Sequence, residues 1–439
     1  MTTLITLILV ILLIIIVTTR FNIHPFLSLL TAAIIMGFAA GFDGTFIITK
    51  IADGFGNTLK SIGIIIAFGT IIGAYLEQSG GASAMAAAVL KVIGEKKSPL
   101  AMNITGFIVS IPVFCDSGFV ILSTLNKALS KKTKTSIVVL TIALAAGLYT
   151  THVFVPPTPG PLAAAATLNA DIGLVLIFGL IVAIPTALAG LAWALIYGRN
   201  KEIAGHVEEE KKEIRKLPGT GISFAPIIIP IILIALKSVA DYPSHPFGEG
   251  FLQGVITFLG NPVIALLIGV ITAFKLKPAD SDKTHFDWVT KGLKDAGIII
   301  LITGAGGAFG NVLRATDVGA TIGEFMSQWS VGIFLPFLIA AILKSAQGSS
   351  TVAIITTAAI ISPLLVSLGL DTPVAKALVV LAIGAGAMTV SHVNDSYFWV
   401  VSQFSGMDTA TALRGLTVAT LFQGIVGIIT ISILATILV

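Results

Sequence analysis

His152-Val153-Phe154-Val155-Pro156-Pro157-Thr158-Pro159-Gly160-Pro161 closes a mostly apolar run that begins near residue 135. Four prolines in the six residues 156–161 cannot continue a helix, because each removes a backbone donor and fixes φ. An apolar helix-forming stretch resumes at Leu162. A plain loop would leave 162–170 as a stray apolar stub, so residues 135–169 read as one helix broken midway. Inside a bilayer such a break exposes unpaired N–H and C=O groups, and it is tolerated only when buried in protein or lining a wet cavity. The solvent around the break therefore decides the fold.

Composition identifies that solvent. The chain has 439 residues, 55% hydrophobic and only 11% charged, with a mean hydropathy of +1.00. Soluble domains carry about 25% charged residues. A soluble enzyme, a disordered chain and a collagen-like fibre are excluded, and a single cysteine excludes a disulfide scaffold. The net charge of +4 comes from loop lysines and indicates no nucleic-acid partner. The chain is an integral membrane protein whose main partner is the lipid bilayer.

Apolar segments long enough for a core about 30 Å thick lie at 3–19, 25–42, 59–77, 135–152, 171–198, 224–241, 257–275, 293–313, 374–391 and 416–438. Two more apolar stretches, 98–130 and 331–368, are interrupted by small polar residues and read as re-entrant helical hairpins. The run 3–19 lacks a preceding basic residue and meets Arg20 where a signal peptide would be cleaved, so it reads as a span. Ten spans plus two hairpins place 20 of the 26 Lys and Arg on one side, the cytoplasmic one by the positive-inside rule. The basic loop 199–216 lies there. Lys50, Lys60, Lys237, Arg314 and Lys376 fall on the outer side.

The two halves resemble each other in order. Leu59-Lys60-Ser61-Ile62-Gly63-Ile64-Ile65-Ile66 matches Leu293-Lys294-Asp295-Ala296-Gly297-Ile298-Ile299-Ile300, and Thr150-Thr151-His152-Val153 matches Val390-Ser391-His392-Val393. The expected fold is all-α and polytopic, with residues 1–198 and 224–439 as inverted repeats joined by a charged cytoplasmic linker, 199–223. Each repeat carries a hairpin (98–130 and 331–368) and a broken helix (135–169 and 374–404). Interruptions at corresponding places in two halves are the best sequence pointer to a transporter's binding site.

Each interruption carries its own chemistry. The first hairpin tip, Pro112-Val113-Phe114-Cys115-Asp116-Ser117-Gly118, sets an acid between two apolar arms, where a charge is costly and marks function. The second, Lys344-Ser345-Ala346-Gln347-Gly348-Ser349-Ser350-Thr351, opens a helix with hydroxyls and backbone N–H groups suited to an anion, with Lys344 as a matching charge. Thr158 sits in the first broken helix. The second, Ser391-His392-Val393-Asn394-Asp395-Ser396-Tyr397, supplies an amide, an acid and hydroxyls suited to a hydroxylated ligand. Asp116 and Asp395 are also good helix N-caps. His152 and His392 occupy equivalent places as candidate proton relays. No metal-ligand spacing or cofactor motif is present, and Gly304–Gly310 lacks the Gly-Lys-Ser/Thr end of a phosphate loop, which leaves close helix packing.

At these residues the chain resembles the gluconate permease family of bacterial proton symporters. The resemblance runs end to end and is strongest at Phe21–Leu29, 156–161, Gly304–Gly310, Gln347–Ala353 and Ser391–Trp399. It implies uptake of gluconate or a related small hydroxylated or amino carboxylate with protons, in the bacterial inner membrane. The wider ion-transporter superfamily is often dimeric, with a moving domain against a fixed scaffold. Two departures bear on the substrate. Family members carry Glu and an apolar residue where this chain has Asp116-Ser117, and tend to carry Arg where it has Lys344. Arg grips a carboxylate with two parallel hydrogen bonds and Lys is a point charge, so glycerate, another aldonate or D-serine stay open.

The expected substrate residues are Lys344, Gln347, Ser349, Ser350, Thr351, Ser117, Thr158, Asn394 and Ser396. Asp116, then Asp395, His392 and His152, are the expected proton-coupling residues. Sodium coupling is the nearest alternative. A membrane-embedded hydrolase or a channel is more distant, because neither needs two matched sets of breaks.

Overall fold

The structure, a computed structural model, describes residues 23–199, 201, 217–240, 250–278, 283–316, 332–393 and 395–439, with residues 6, 9, 10, 12–14, 16, 17 and 21. Most of the expected span 3–19, most of the linker 199–223, and Asn394 lie outside the described residues. Among the described residues every regular element is helical. Five helices are long and apolar enough to cross a membrane, or up to seven if each of two bent pairs is one span. The expected count of ten includes shorter pieces. Pro25–Ala39 has 15 residues, and Pro373–Met388 is a 16-residue half of a broken helix.

Two helices are longer than their apolar runs. Gly44–Ser79 has 36 residues and His285–Arg314 has 30, where the sequence suggests spans at 59–77 and 293–313. Asp53, Asn57 and Lys60 interrupt the apolar pattern of the first, but capping by Asp43, whose carboxylate accepts from Phe46 N at 3.0 Å, starts the helix earlier. Thr284 and Asp287 form a capping box at the start of the second. A short helix, Gly81–Ile93, is an addition; its 13 residues reach about 20 Å, too short to register as a span.

These two long helices pack antiparallel. Asn311 donates to Lys50 O at 2.8 Å at one end, and the Tyr75 hydroxyl meets His285 Nδ1 at 2.7 Å at the other. In the glycine run 304–310, Gly304 and Gly307 face the other long helix, and Gly306 and Gly310 face Ser350–Ile361. A Cβ on Gly307 would stand 2.0 Å from Thr58 Oγ1 and 2.7 Å from Gly54 O. Only glycine lets the backbones approach that closely.

Hairpins and broken helices then exchange partners between the halves. Ser98–Val109 packs on Ile137–Phe154, and Phe334–Gln347 packs on Pro373–Met388. The second arm of each hairpin crosses to the other half: Ser350–Ile361 packs on Pro159–Leu168, and Cys115–Thr133 on Ser396–Ser405. All four interruptions are drawn together by these crossings. Replacing Gly307 by Val is expected to cost about 1–3 kcal/mol through overpacking. Its thermal midpoint in detergent should fall, whereas Gly297→Ala, with open space around it, should not move. An unchanged midpoint for Gly307→Val would show that the long helices do not meet there.

Candidate functional site at the four chain breaks

The second hairpin turns at Gly348, whose φ of +78° is a conformation that L side chains rarely adopt. Its N–H caps Lys344 O at 2.8 Å. Ser349 then starts the return arm, its hydroxyl accepting from Val352 N at 3.3 Å. This turn leaves Lys344 in the last turn of the first arm, fully buried. Its ammonium donates to Asp395 Oδ2 at 2.5 Å and to Gly348 O at 3.1 Å.

Asp395 belongs to the second broken helix. The chain leaves Pro373–Met388 through Val390, which holds a φ of +59°, a strained position for a β-branched residue. Ser391 N donates to Thr420 Oγ1 at 2.9 Å, fixing the bend. Asp395 N donates to His392 O at 2.8 Å, and Asp395 caps Ser396–Ser405 by accepting from Tyr397 N at 3.0 Å. The capping oxygen is Oδ1, so Oδ2 is left for Lys344 and the Ser391 hydroxyl. Both roles open to Asp395 in the sequence, cap and charged group, thus coexist.

In the first half, Ser110 Oγ donates to Val113 O at 3.0 Å and shapes the hairpin tip. Cys115–Thr133 starts there, with Asp116 in its first turn. Asp116 Oδ1 is buried and accepts no hydrogen bond. Its carboxylate lies within electrostatic reach of both Asp395 and Lys344. In the first broken helix, buried Thr158 donates to Val155 O at 2.6 Å. His152 is buried with Nδ1 unpartnered, its ring 6.1 Å from Phe114 and 6.5 Å from Tyr149.

Gln347 is partly buried, and neither its amide oxygen nor its nitrogen has a partner. Ser350 is buried against Tyr149, Ser117 and Thr351 are half-buried, and Ser396 is exposed. His392 Nε2 lies 3.1 Å from Ser345 O. Asn394 lies outside the described residues. Tyr149 and Tyr397 join the cluster without having been singled out in the sequence. Their rings are 5.0 Å apart, and Tyr397 donates to Ala145 O at 2.9 Å. The signal was rarity: with only 5 tyrosines in the chain, these two fall within or beside the breaks.

The cluster therefore offers one ammonium, two carboxylates and a free amide in an apolar bundle. Such a set suits a hydroxylated anion, because the amide serves hydroxyls and the ammonium a carboxylate. Among the described residues no group of three or more His, Cys, Asp or Glu could hold a metal ion.

The model of the GntP family permease family matches residues 1–437. The chain belongs to that family. It is 34% identical over 431 residues to a gluconate permease of Pseudomonas aeruginosa, covering 96% of this chain and 94% of that protein. An inner membrane permease of Escherichia coli is 33% identical over 428 residues, with 92% of each chain covered. The solved structure of MtrF of Neisseria gonorrhoeae matches with a TM-score of 0.69 at 15% identity, covering 95% of this chain and 96% of that one; the likeness is one of fold. As a member of this permease family the protein is a multi-pass inner-membrane transporter of the gluconate type.

Lys344→Met would leave Asp395 as a buried charge without its partner, a loss of about 3–5 kcal/mol. Asp395→Asn in the same chain should recover most of it, since the pair then disappears together. Thermal denaturation of the purified single and double variants measures both. A double variant no more stable than Lys344→Met would mean the two groups are not paired.

Proposed function

We propose that this permease imports gluconate, or a closely similar small hydroxylated monocarboxylate, together with a proton. The observation that carries the reading is the imbalance of the buried cluster: Lys344 is matched by Asp395, and Asp116 has an oxygen with no donor. An incoming carboxylate would add a third negative charge to one ammonium. Taking up one proton restores the balance of the empty state. Asp395 already holds an ammonium, a hydroxyl and a backbone N–H. Protonating it would sacrifice those bonds, whereas protonating Asp116 at Oδ1 sacrifices none. Asp116 is the proton carrier in this scheme.

With Asp116 neutral, the substrate carboxylate competes with Asp395 for Lys344 at the start of Ser350–Ile361. Backbone N–H groups left free by the helix start, with Ser349, Ser350 and Thr351, complete that end. Gln347 meets the first hydroxyls, and Thr158, Ser117, Asn394 and Ser396 the remainder of the polyol. His152 and His392 lie on routes by which the proton reaches and leaves the cluster. The matched partner exchange of the two halves supports an inverted-repeat plan, in which one half-site opens as the other closes.

Proteoliposomes with an inward pH gradient provide the test. The wild type should accumulate labelled gluconate without sodium. Asp116→Asn should abolish accumulation, lowering gradient-driven uptake at least about a hundredfold, while keeping gluconate–gluconate exchange. Gradient-driven uptake surviving in Asp116→Asn would reject this proton carrier, and accumulation that requires sodium would reject proton coupling.

A further inference from the structure

A second polar site lies away from the cluster. It is a cleft of about 80 Å³ between the two long helices and the end of Pro159–Leu168. Asn57, Ser61, Asn169, Asn311 and Arg314 are among its polar side chains, and none of the described residues that line it is acidic. Arg314 donates to Thr167 O at 2.5 Å and, through Nε, to Ser362 Oγ at 3.0 Å. These bonds hold the guanidinium at the cleft. Among the described residues Arg314 has no carboxylate partner, and the amides of Asn57 and Asn169 make no hydrogen bond.

Its place in the fold gives this cleft meaning. Ser350–Ile361 and Pro159–Leu168 both start at the central breaks and end here, at Ser362 and Thr167. Their 12 and 10 residues span about 18 and 15 Å, roughly half the hydrocarbon thickness. The cleft is thus a mouth at one end of two helices that lead to the central cluster. The lysine and arginine distribution puts it on the outer face. At the opposite end of the two long helices, Lys291 is matched by Glu77 at 2.7 Å. Among the described residues Lys291 thus has a carboxylate partner and Arg314 does not.

We propose that this cleft is an outer capture site for the carboxylate end of a small hydroxylated acid: Arg314 takes the carboxylate, the Asn57 and Asn169 amides and Ser61 take the adjoining hydroxyls, and the rest of the molecule stays in the open mouth. This rests on the transport reading given above for the choice of ligand, and the site itself does not depend on proton coupling. A guanidinium held at the cleft, with no acid beside it among the described residues, raises the local concentration of anions. Its effect therefore falls on capture and leaves the translocation step alone.

Kinetics of labelled gluconate uptake by the reconstituted full chain test the site. Arg314→Gln should raise KM about tenfold, the worth of one charge-assisted hydrogen bond, with Vmax within about twofold. The difference should shrink at high salt. Arg314→Lys should recover more than half of the KM loss, and Asn57→Leu, on a helix face that makes no bond to the guanidinium, should raise KM to a smaller extent. An unchanged KM in Arg314→Gln, or a fall in Vmax alone that Lys does not rescue, would reduce Arg314 to a structural tie and overturn the proposal.

A transport-free measurement separates the two readings. Equilibrium binding of labelled gluconate to solubilised Gln347→Leu should retain a weak, salt-sensitive component that Arg314→Gln removes. If the wild type accumulates no gluconate but this component persists and needs Arg314, the capture site stands and the transport reading falls. If uptake is intact and no Arg314-dependent component exists, the capture site falls.

Discussion

Burying an ammonium in an apolar bundle costs several kcal/mol unless a carboxylate and further acceptors meet it. Lys344 satisfies that requirement through Asp395 and Gly348 O, and the architecture around the breaks follows from it. Gly348 must turn in the left-handed region to aim its carbonyl and let the hairpin return. The second broken helix must unwind before Asp395, so that one oxygen caps the half-helix and the other faces the ammonium. Ser391 must bend inward, which the bond from its N–H to Thr420 on the last helix enforces. In the proposed scheme this buried pair yields to a competing carboxylate once a proton removes the added charge. Stability and transport therefore draw on the same contact.

Much of this was legible in the sequence because bilayer physics is strict. Prolines 156–161, the acid at 116, the hydroxyl-rich turn at 347–351 and the polar block at 391–397 each violate an apolar pattern, and the structure brings all four together. Of the two acids read as possible helix caps, Asp395 caps its half-helix, whereas Asp116 lies in the first turn behind Phe114 and caps nothing, because the chain enters that helix one residue earlier. What the sequence did not carry was pairing. Lys344 and Asp395 stand 51 positions apart, and no local pattern says that the cation opposite a hairpin tip is already matched. Helix ends were missed for a related reason. Asp53, Asn57 and Lys60 look like an end of the apolar run, yet the helix continues because one face of it borders polar space, the cleft at Arg314.

The crossing of hairpin arms to the opposite half gives the site its mechanical setting. The arm that starts at Ser350 packs on Pro159–Leu168, and the arm that starts at Cys115 packs on Ser396–Ser405. Each hairpin arm is thus packed on a half-helix of the other half of the chain. The long antiparallel pair is in close contact at Gly307 against Gly54 and Thr58. At one end Arg314 is tied to Thr167 O and Ser362, and at the other Lys291 pairs with Glu77.

The central claim is that a carboxylate and a proton enter the cluster as a unit. The measurement that reaches it most directly is proton uptake on ligand binding, followed with a pH indicator as gluconate is titrated into solubilised protein in weak buffer. Linkage requires about one proton taken up per gluconate bound above the titration range of the free acid, and close to none in Asp116→Asn. Gluconate binding with no proton uptake in the wild type would contradict the account.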